Sequence, residues 1–406
     1  MLQVYNCALK HFRENINGKK LFLWGGNNRA ELYYKEWGIK EHITAIVDKN
    51  EKWWNKGWHI DDRIPCINKD KMISQIYACG VDHCVLLITS AFYSMDIIEE
   101  LDKIDELNGL ETYVGVLISE YYKPQEFEFT KGIQKIPKKI HYIWFDGGEI
   151  PDKLKNYMTT WKQYCPDYEI IRWDESNYDI TKNQYTYEAY CAGKYGCASD
   201  FVRLDIIYNH GGIYLDTDIE LCKNLDDLLC DDSFFSVDFE GSVNTGAGFG
   251  AIQYNPIIGD MMKVYENEHF IDADGNMHTK PCHRYQTPVL KQYGFDITQK
   301  YQKINGNVLY PCEVLAPIAN YSRAERITKK TYSIHHSELS DASEDDRKGR
   351  ERFKNKIWNR INMRDIMENV GYAMDAEIKQ IEKIPEGGVL KYFISIDIPV
   401  WMGVCA

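Results

Sequence analysis

Between Lys20 and Ile118 the chain alternates short apolar runs with amphipathic ones. The run KLFLW (20–24) ends in Gly25-Gly26, RAELYYKEWG (29–38) has helical composition and stops at Gly38, and ITAIVDK (43–49) is a second apolar run reaching Asp48. HCVLLITS (83–90), SMDIIEELDKIDEL (94–107) and ETYVGVLI (111–118) then repeat strand, helix and strand. This order predicts a small parallel, Rossmann-like βαβ sheet. The polar, aromatic and proline-marked YYKPQEFEFTKGIQKIPKK (121–139) reads as a linker. Beyond it, KIHYIWF (139–145) predicts a strand, KNYMTTWKQYC (155–165) a helix stopped by Pro166, and YEIIRW (168–173) another strand. From Ser343 to Ile384 the chain becomes charged, and Phe353, Ile357, Ile361 and Ile366 fall near helical spacing. The expected class is α/β: a Rossmann-like accessory domain (1–122), a linker (123–136), a second α/β domain (137–340) and a helical C-terminal extension (341–406).

Composition narrows the partners. With 61 acidic against 48 basic residues, the net charge of -13 argues against nucleic acid or anionic lipid as a bulk electrostatic partner. Any anionic substrate needs a local cation. Twelve cysteines without a CxxC pair, and no basic-then-apolar leader, read as reduced thiols in a cytoplasmic protein. The apolar VLKYFISIDIPVWMGVCA (389–406) is interrupted by Lys391, Asp397 and Pro399, too broken for a transmembrane segment. Peripheral membrane contact stays open. The glycine turn GGNNRA (25–30) is not the GxGxxG of a dinucleotide site, although Asp48 stands near the distance of a ribose-binding acid.

The chemistry concentrates in GGIYLDTDIELC (211–222). In an extended chain Tyr214, Asp216, Asp218 and Glu220 share one face and the aliphatic residues the other. Neighbouring carboxylates repel unless water or a cation stands among them. Upstream, CASDFVRLDIIYNHGG (197–212) predicts a helix with a Phe201, Leu204, Tyr208 stripe, Ser199 at its start and Gly211 at its end. Asp200 and Arg203 fall on one face of it. They either pair at the surface or stand at the mouth of the acidic site, offering an acceptor and a forked donor to sugar or phosphate.

The run ASDFVRLDIIYNHGGIYLDTDIELCKNLDDLL (198–229), with IPKKIHYIWFDGGEIP (136–151) and YCPDYEIIRWDE (164–175), resembles glycosyltransferase family 32, the DXD sugar transferases of capsular polysaccharide synthesis and fungal initiating mannosylation. It is also similar to the glucosyltransferase domains of large clostridial toxins. The resemblance covers about half the chain and implies a GT-A-type, retaining hexosyltransferase that uses a nucleotide-diphosphate sugar, a UDP-sugar being favoured. The acceptor it implies is a glycan or a lipid-linked glycan. It assigns Asp218 to direct contact with Mn²⁺ or Mg²⁺, Asp216 to the ribose and the metal's shell, and a late histidine, His335 in preference to His336, to the same cation. It sets Trp144, with Ile143, against the nucleobase. No Gly-Ser-Trp follows the histidines, only SELSD (337–341), which departs from the family pattern.

Two further segments are candidate substrate contacts. VNTGAGFGAIQYNP (243–256) brings Asn244 among glycines that let a sugar approach backbone, and HRYQTPVL (283–290) brings Gln286. No partnered nucleophile of the glycosidase kind stands out, so front-face substitution is the expected route. The rival readings are a sugar-nucleotide-binding or scaffolding protein without turnover, and a DxD phosphatase, whose motif wants Thr or Val where Glu220 stands.

Overall fold

In a computed structural model of the chain, residues 1–118, 126–320, 325–338, 343–361, 378–386, 389–396 and 402–405 are described, apart from positions 6, 8, 240 and 279. The chain divides into two compact units, Met1–Lys123 with Tyr321–Ala324 and Ser343–Ala406, and Pro124–Asn320 with Glu325–Ala342.

The first unit is built on strands β1 (Gln3–Tyr5), β2 (Lys20–Trp24), β3 (Ile43–Val47), β4 (Gly57–Trp58), β5 (Asp61–Ile67), β6 (Cys84–Ile88) and β7 (Glu111–Val114). Their order is β1-β7-β6-β2-β3-β5-β4, parallel throughout except for β4 at the edge. Strands β2 and β6 are buried along almost their whole length, as parallel strands covered on both faces must be. Helices α1 (Leu9–Asn15), α2 (Asn28–Glu36), α3 (Lys69–Cys79) and α4 (Ser94–Leu101) supply the covering layers. The sequence pattern foresaw β2, α2, β3, β6, α4 and β7. It missed β5, whose DDRIPCI carries Pro65 and two acids, and α3 behind it.

In the second unit, β8 (Lys139–Ile143), β9 (Glu169–Trp173) and β10 (Gly212–Tyr214) run parallel. Strands β12 (Ser233–Ser236), β13 (Phe249–Ala251), β14 (Gln302–Ile304) and β15 (Asn307–Tyr310) complete a mixed sheet of order β14-β15-β12-β13-β10-β8-β9. Strand β11 (Ile219–Leu221) leaves it to form a two-stranded ribbon with β16 (Ser333–His335). Helices α5 (Asp152–Tyr164), α6 (Gln184–Cys191), α7 (Tyr195–His210), α8 (Pro256–Lys263) and α9 (His283–Gln292) flank the sheet. Along β10, Ile213 joins one apolar cluster with Ile140 and Trp161, and Tyr214 joins the other with Phe249 and Phe201. The expected α/β class is what the structure has.

Two expectations are corrected. The acids do not lie on one strand: β10 ends at Tyr214 and β11 starts at Ile219, so Asp216 and Asp218 occupy the crossing between two sheets. Among the described residues, the C-terminal region is helical only in α10 (Glu344–Lys356) and the turn Ile357–Asn359, and β17 (Ile378–Glu386), β18 (Val389–Ile396) and β19 (Met402–Cys405) form an antiparallel meander. Alternation such as VLKYFISI outweighs helical composition there. Phe353, Ile357 and Ile361 are buried with Leu101 and Leu107 of the first unit, whereas Ile366 lies outside the described residues, as do 123–125 of the expected linker. Among the described residues no helix is long and apolar enough to cross a membrane.

The junction of α7 and β10 is held by a buried histidine. His141 is 0% exposed. Its Nε2 lies 3.0 Å from the Gly211 carbonyl, and the Trp173 indole N–H donates to its Nδ1 at 3.0 Å, which fixes the neutral tautomer with the proton on Nε2. A Cβ on Gly212 (φ +105°) would meet this ring at 3.0 Å and the Lys139 carbonyl at 2.9 Å, so only glycine fits. Burial pushes the imidazole down to about 4, the Gly211 carbonyl opposing weakly. The unfolded chain therefore takes up this proton first, and stability contributed by neutral His141 is present above pH ~6.5 and lost as pH falls toward 4. The expected loss is about 2 kcal/mol between pH 7 and pH 4.5, measured by chemical denaturation at those two values. His141→Gln, which cannot titrate, should flatten the pH dependence by a comparable amount.

Candidate active site

Helix α7 enters the site with a charge at its core. Residues Ala198 to Ile207 are all buried, Asp200 and Arg203 included. The ion pair is therefore not a surface one. The Arg203 Nη2 lies 3.1 Å from Asp200 Oδ1 and 3.6 Å from Asp216 Oδ1, and it donates to the Ser199 hydroxyl at 2.6 Å. Its Nε donates to the Ser199 carbonyl at 3.2 Å, and its guanidinium stands over the Tyr214 ring at 5.1 Å. A guanidinium cannot shed its charge, so this many partners are what make its burial tolerable. Because α7 already starts at Tyr195, Ser199 does not cap the helix but braces Arg203 from within it.

Tyr214, 1% exposed, turns its hydroxyl back to donate to Asp216 Oδ1 at 2.7 Å. It sits two residues before Asp216 on the same face of the run, the signal from which its role could have been read. On the other side Gly246 closes against the carboxylate: an added Cβ would lie 2.6 Å from Asp216 Oδ2 and 3.0 Å from Arg203 Nη1. Burial raises the Asp216 carboxyl above its usual range, and the neighbouring Asp218 adds to this while Arg203 opposes it.

The ribbon brings in the third group. Pairing of β11 with β16 sets Ile219 opposite His335, and the His336 N–H donates to the Asp218 carbonyl at 3.1 Å. His335 Nε2 then lies 3.3 Å from Asp218 Oδ1, while the Glu338 N–H donates to Asp218 Oδ2 at 2.8 Å. Burial disfavours the charged Asp218, but His335 and that backbone N–H outweigh it and hold the carboxyl down to about 2. Burial likewise lowers His335, and Asp218 and Asp216 together carry it above the ordinary imidazole range.

Ligand atoms of Asp216, Asp218 and His335 lie within 4.8 Å of one another. Donors at ~2.1 Å from a common ion stand up to ~4.2 Å apart, so the three fit one divalent cation after small side-chain movements. His336 does not join them. Its Nε2 lies 2.8 Å from Glu220 Oε2 and its ring stacks on Tyr157 at 4.0 Å, so its place as a ligand is corrected: adjacent strand residues face opposite sides. Residues 339–341 of SELSD lie outside the described residues.

The remaining candidates surround this group at different depths. Asn244 accepts the Gly246 N–H at 2.9 Å, holding the loop that abuts Asp216, and the Cys282 thiol lies 3.9 Å from its Oδ1. Gln286 is fully buried and accepts from Thr245 at 2.9 Å, while its Nε2 has no partner among the described residues. Trp144 is half-buried just beyond the carboxyl end of β8, its indole N–H donating to the Gly148 carbonyl at 2.8 Å. The Ile143 side chain is buried in the core, which leaves its backbone as its available contact. Sequence reasoning missed Tyr214, Ser199 and Glu338 as parts of the site, and it read Gly246 as room for a sugar where the structure has it closing on the Asp216 carboxylate.

Residues 151–235 match the family model described as a glycosyltransferase sugar-binding region containing a DXD motif. The chain is similar to inositol phosphoceramide mannosyltransferase 3 of Schizosaccharomyces pombe, 38% identical over 98 residues, 23% of this chain and 27% of that protein. It is 28% identical over 187 residues to the uncharacterized glycosyltransferase L373 of Acanthamoeba polyphaga mimivirus, 44% of this chain and 74% of that protein. The solved PaToxG glycosyltransferase superposes with a TM-score of 0.32 at 20% identity, over 39% of this chain and 69% of that one. The chain thus spans about a quarter of the first relative's length and about three quarters of the viral one's.

Two substitutions probe the arrangement. Arg203→Met leaves Asp200 buried without its cation and is expected to cost about 3–5 kcal/mol in chemical denaturation. Gly246→Ala presses on the Asp216 carboxylate and is expected to lower stability by about 1–3 kcal/mol in chemical denaturation, the usual cost of overpacking a closed site.

Proposed function

We propose that this chain, which carries a DXD-type glycosyltransferase sugar-binding region at 151–235, is a metal-dependent, retaining hexosyltransferase of the GT-A type that moves a sugar from a nucleotide-diphosphate donor to a glycan or lipid-linked glycan. The observation that carries this reading is the convergence of Asp216, Asp218 and His335 on one small volume, backed by buried Arg203. Those three residues would hold the ion. The set of two carboxylates and one imidazole favours Mn²⁺ over Mg²⁺, which prefers oxygen alone. When bound, the ion supplies positive charge against the diphosphate as it departs.

The chain's own residues do the rest. Arg203 contributes a fixed charge that holds Asp216 in place, and the Tyr214 hydroxyl keeps that carboxylate from rotating. Trp144 stacks on the base, an interaction worth ~1–3 kcal/mol. Asn244 lines the sugar side, and the fully buried Gln286 braces the loop behind it through Thr245. In the transfer, an acceptor oxygen bonds to the anomeric carbon as the bond to the phosphate oxygen breaks, and the acceptor's proton passes to that departing oxygen. No carboxylate need act as nucleophile, which agrees with Asp216 and Asp218 both being engaged by neighbouring donors. A UDP-sugar remains the favoured donor, and the mannosyltransferase named among the relatives places a mannose donor in the same panel. A cytoplasmic location, with or without peripheral membrane contact, belongs to this reading.

A thermal-shift panel of nucleotide sugars, with and without Mn²⁺, tests it. One donor at a hundredfold excess over its Kd should raise the midpoint by roughly 5 °C in the presence of Mn²⁺. Asp218→Ala should abolish the shift. Absence of any metal-dependent shift across the panel overturns the proposal, and binding without donor turnover turns it into the non-catalytic alternative.

A further inference from the structure

Strand β8 lies between β9 and β10, all three parallel, so the segments that follow them leave the sheet at one edge. The register fixes how they emerge. Tyr214 stands opposite His141 and Trp173 opposite Ile143, and the ladders run on: the Leu215 N–H donates to the His141 carbonyl at 3.0 Å and the Trp144 N–H to the Trp173 carbonyl at 2.9 Å. Asp216, Trp144 and Glu175 therefore follow three neighbouring strand ends, each ~4.8 Å from the next. The carboxyl ends of parallel strands are where open α/β sheets place their ligands.

The loop after β8 is built against its own backbone preference. Asp146 holds φ +77°, the left-handed region that a residue with a Cβ disfavours, and Gly147 follows at φ +60°. Three elements keep it there. Glu175, just after β9, accepts the Asp146 N–H at 2.6 Å with Oε1, and the same oxygen accepts the Tyr190 hydroxyl of α6 at 2.9 Å. Tyr190 also packs edge-on to Phe145, ring centres 5.7 Å apart. At the start of α7 the Tyr195 phenol is raised above its ordinary range, by partial burial and then by the Asp146 carboxylate that accepts its hydrogen bond. The turn closes on Trp144, whose indole N–H donates to the Gly148 carbonyl at 2.8 Å, so the ring needs no further polar partner and offers its apolar face. Beside it, an added Cβ on Gly147 or Gly148 would meet nothing within 4 Å, so the turn borders open space.

We infer that Glu175 is a positioning residue for the nucleobase: it holds Asp146 in the left-handed turn that presents the Trp144 ring to the base of the donor. The inference rests on the transferase reading above, and Glu175 acts through Asp146 and Trp144 rather than on the nucleotide itself. Core packing does not account for the arrangement. Phe145 is buried, but positions 146–149 are all exposed, so a strained backbone there serves what approaches from outside. A ring set in place beforehand spares the cost of ordering it on binding. The cation and the diphosphate belong to the acids one strand away, so the contribution of Glu175 is confined to the base.

Calorimetric titration of the full chain with Mn²⁺ and UDP, GDP or ADP, against Mn²⁺ and inorganic pyrophosphate as the probe without a base, tests this. The nucleotide that binds best should lose about fivefold or more in affinity in Glu175→Ala, while pyrophosphate stays within about twofold of the parent. Glu175→Gln keeps a carbonyl oxygen for the Asp146 N–H and should retain nucleotide affinity. Glu175→Ala combined with Asp146→Gly should recover most of the loss, because glycine takes the left-handed turn without strain. In a Trp144→Ala background, Glu175→Ala should change nothing further. Circular dichroism melts within about 3 °C of the parent establish that each variant folds. Unchanged nucleotide affinity in Glu175→Ala, a parallel loss for pyrophosphate, no recovery with Asp146→Gly, or a loss that persists without Trp144 would each overturn the assignment. A parent that binds neither pyrophosphate nor any nucleotide brings down the transferase reading and this one with it, whereas nucleotide binding indifferent to Glu175 removes this one alone.

Discussion

The site depends on one buried cation. Arg203 sits where water cannot hydrate it, so the chain must supply every partner its guanidinium needs, and each partner is thereby placed. Asp200 and Ser199 come from its own helix, Tyr214 from the strand that follows, and Asp216 from the crossing beyond. Burial turns a flexible side chain into a fixed reference point. The Asp216 carboxylate, held by the Tyr214 hydroxyl and faced by the guanidinium, inherits that rigidity.

The second constraint is topological. The acids stand where the chain leaves a seven-stranded sheet and enters a two-stranded ribbon, so their backbone is not tied into a continuous ladder. Residues freed from strand pairing can point both carboxylates toward a common centre, which strict alternation along a flat strand would permit only at ~7 Å spacing. The ribbon then returns a histidine to the same centre from more than a hundred residues away.

Much of this was legible in the linear chain. Apolar runs and glycine stops marked the central strands of both units, because buried parallel strands carry little besides aliphatic residues. The order helix, glycine turn, paired acids identified Asp200, Arg203, Asp216 and Asp218 together. What stayed hidden was set by tertiary pairing. Strand β5 carries Pro65 and surface acids, so its membership shows only once β3 lies beside it. The choice between His335 and His336 is made by the register of β16, and the burial of Asp200 with Arg203 is made by the layers packed around α7. Gly246 gives no local sign that its missing side chain makes room for a carboxylate.

The pairing of Ile219 with His335 has a bearing on how the molecule is born. The strands that make the large sheet are complete by Tyr310, yet the imidazole that completes the trio arrives 25 residues later. A chain emerging from the ribosome would therefore complete the large sheet of the second unit before the imidazole joins the two acids, with α10 of the first unit still to come. Chains that stop between Tyr310 and Ser333 would carry that sheet and both acids without the imidazole beside them.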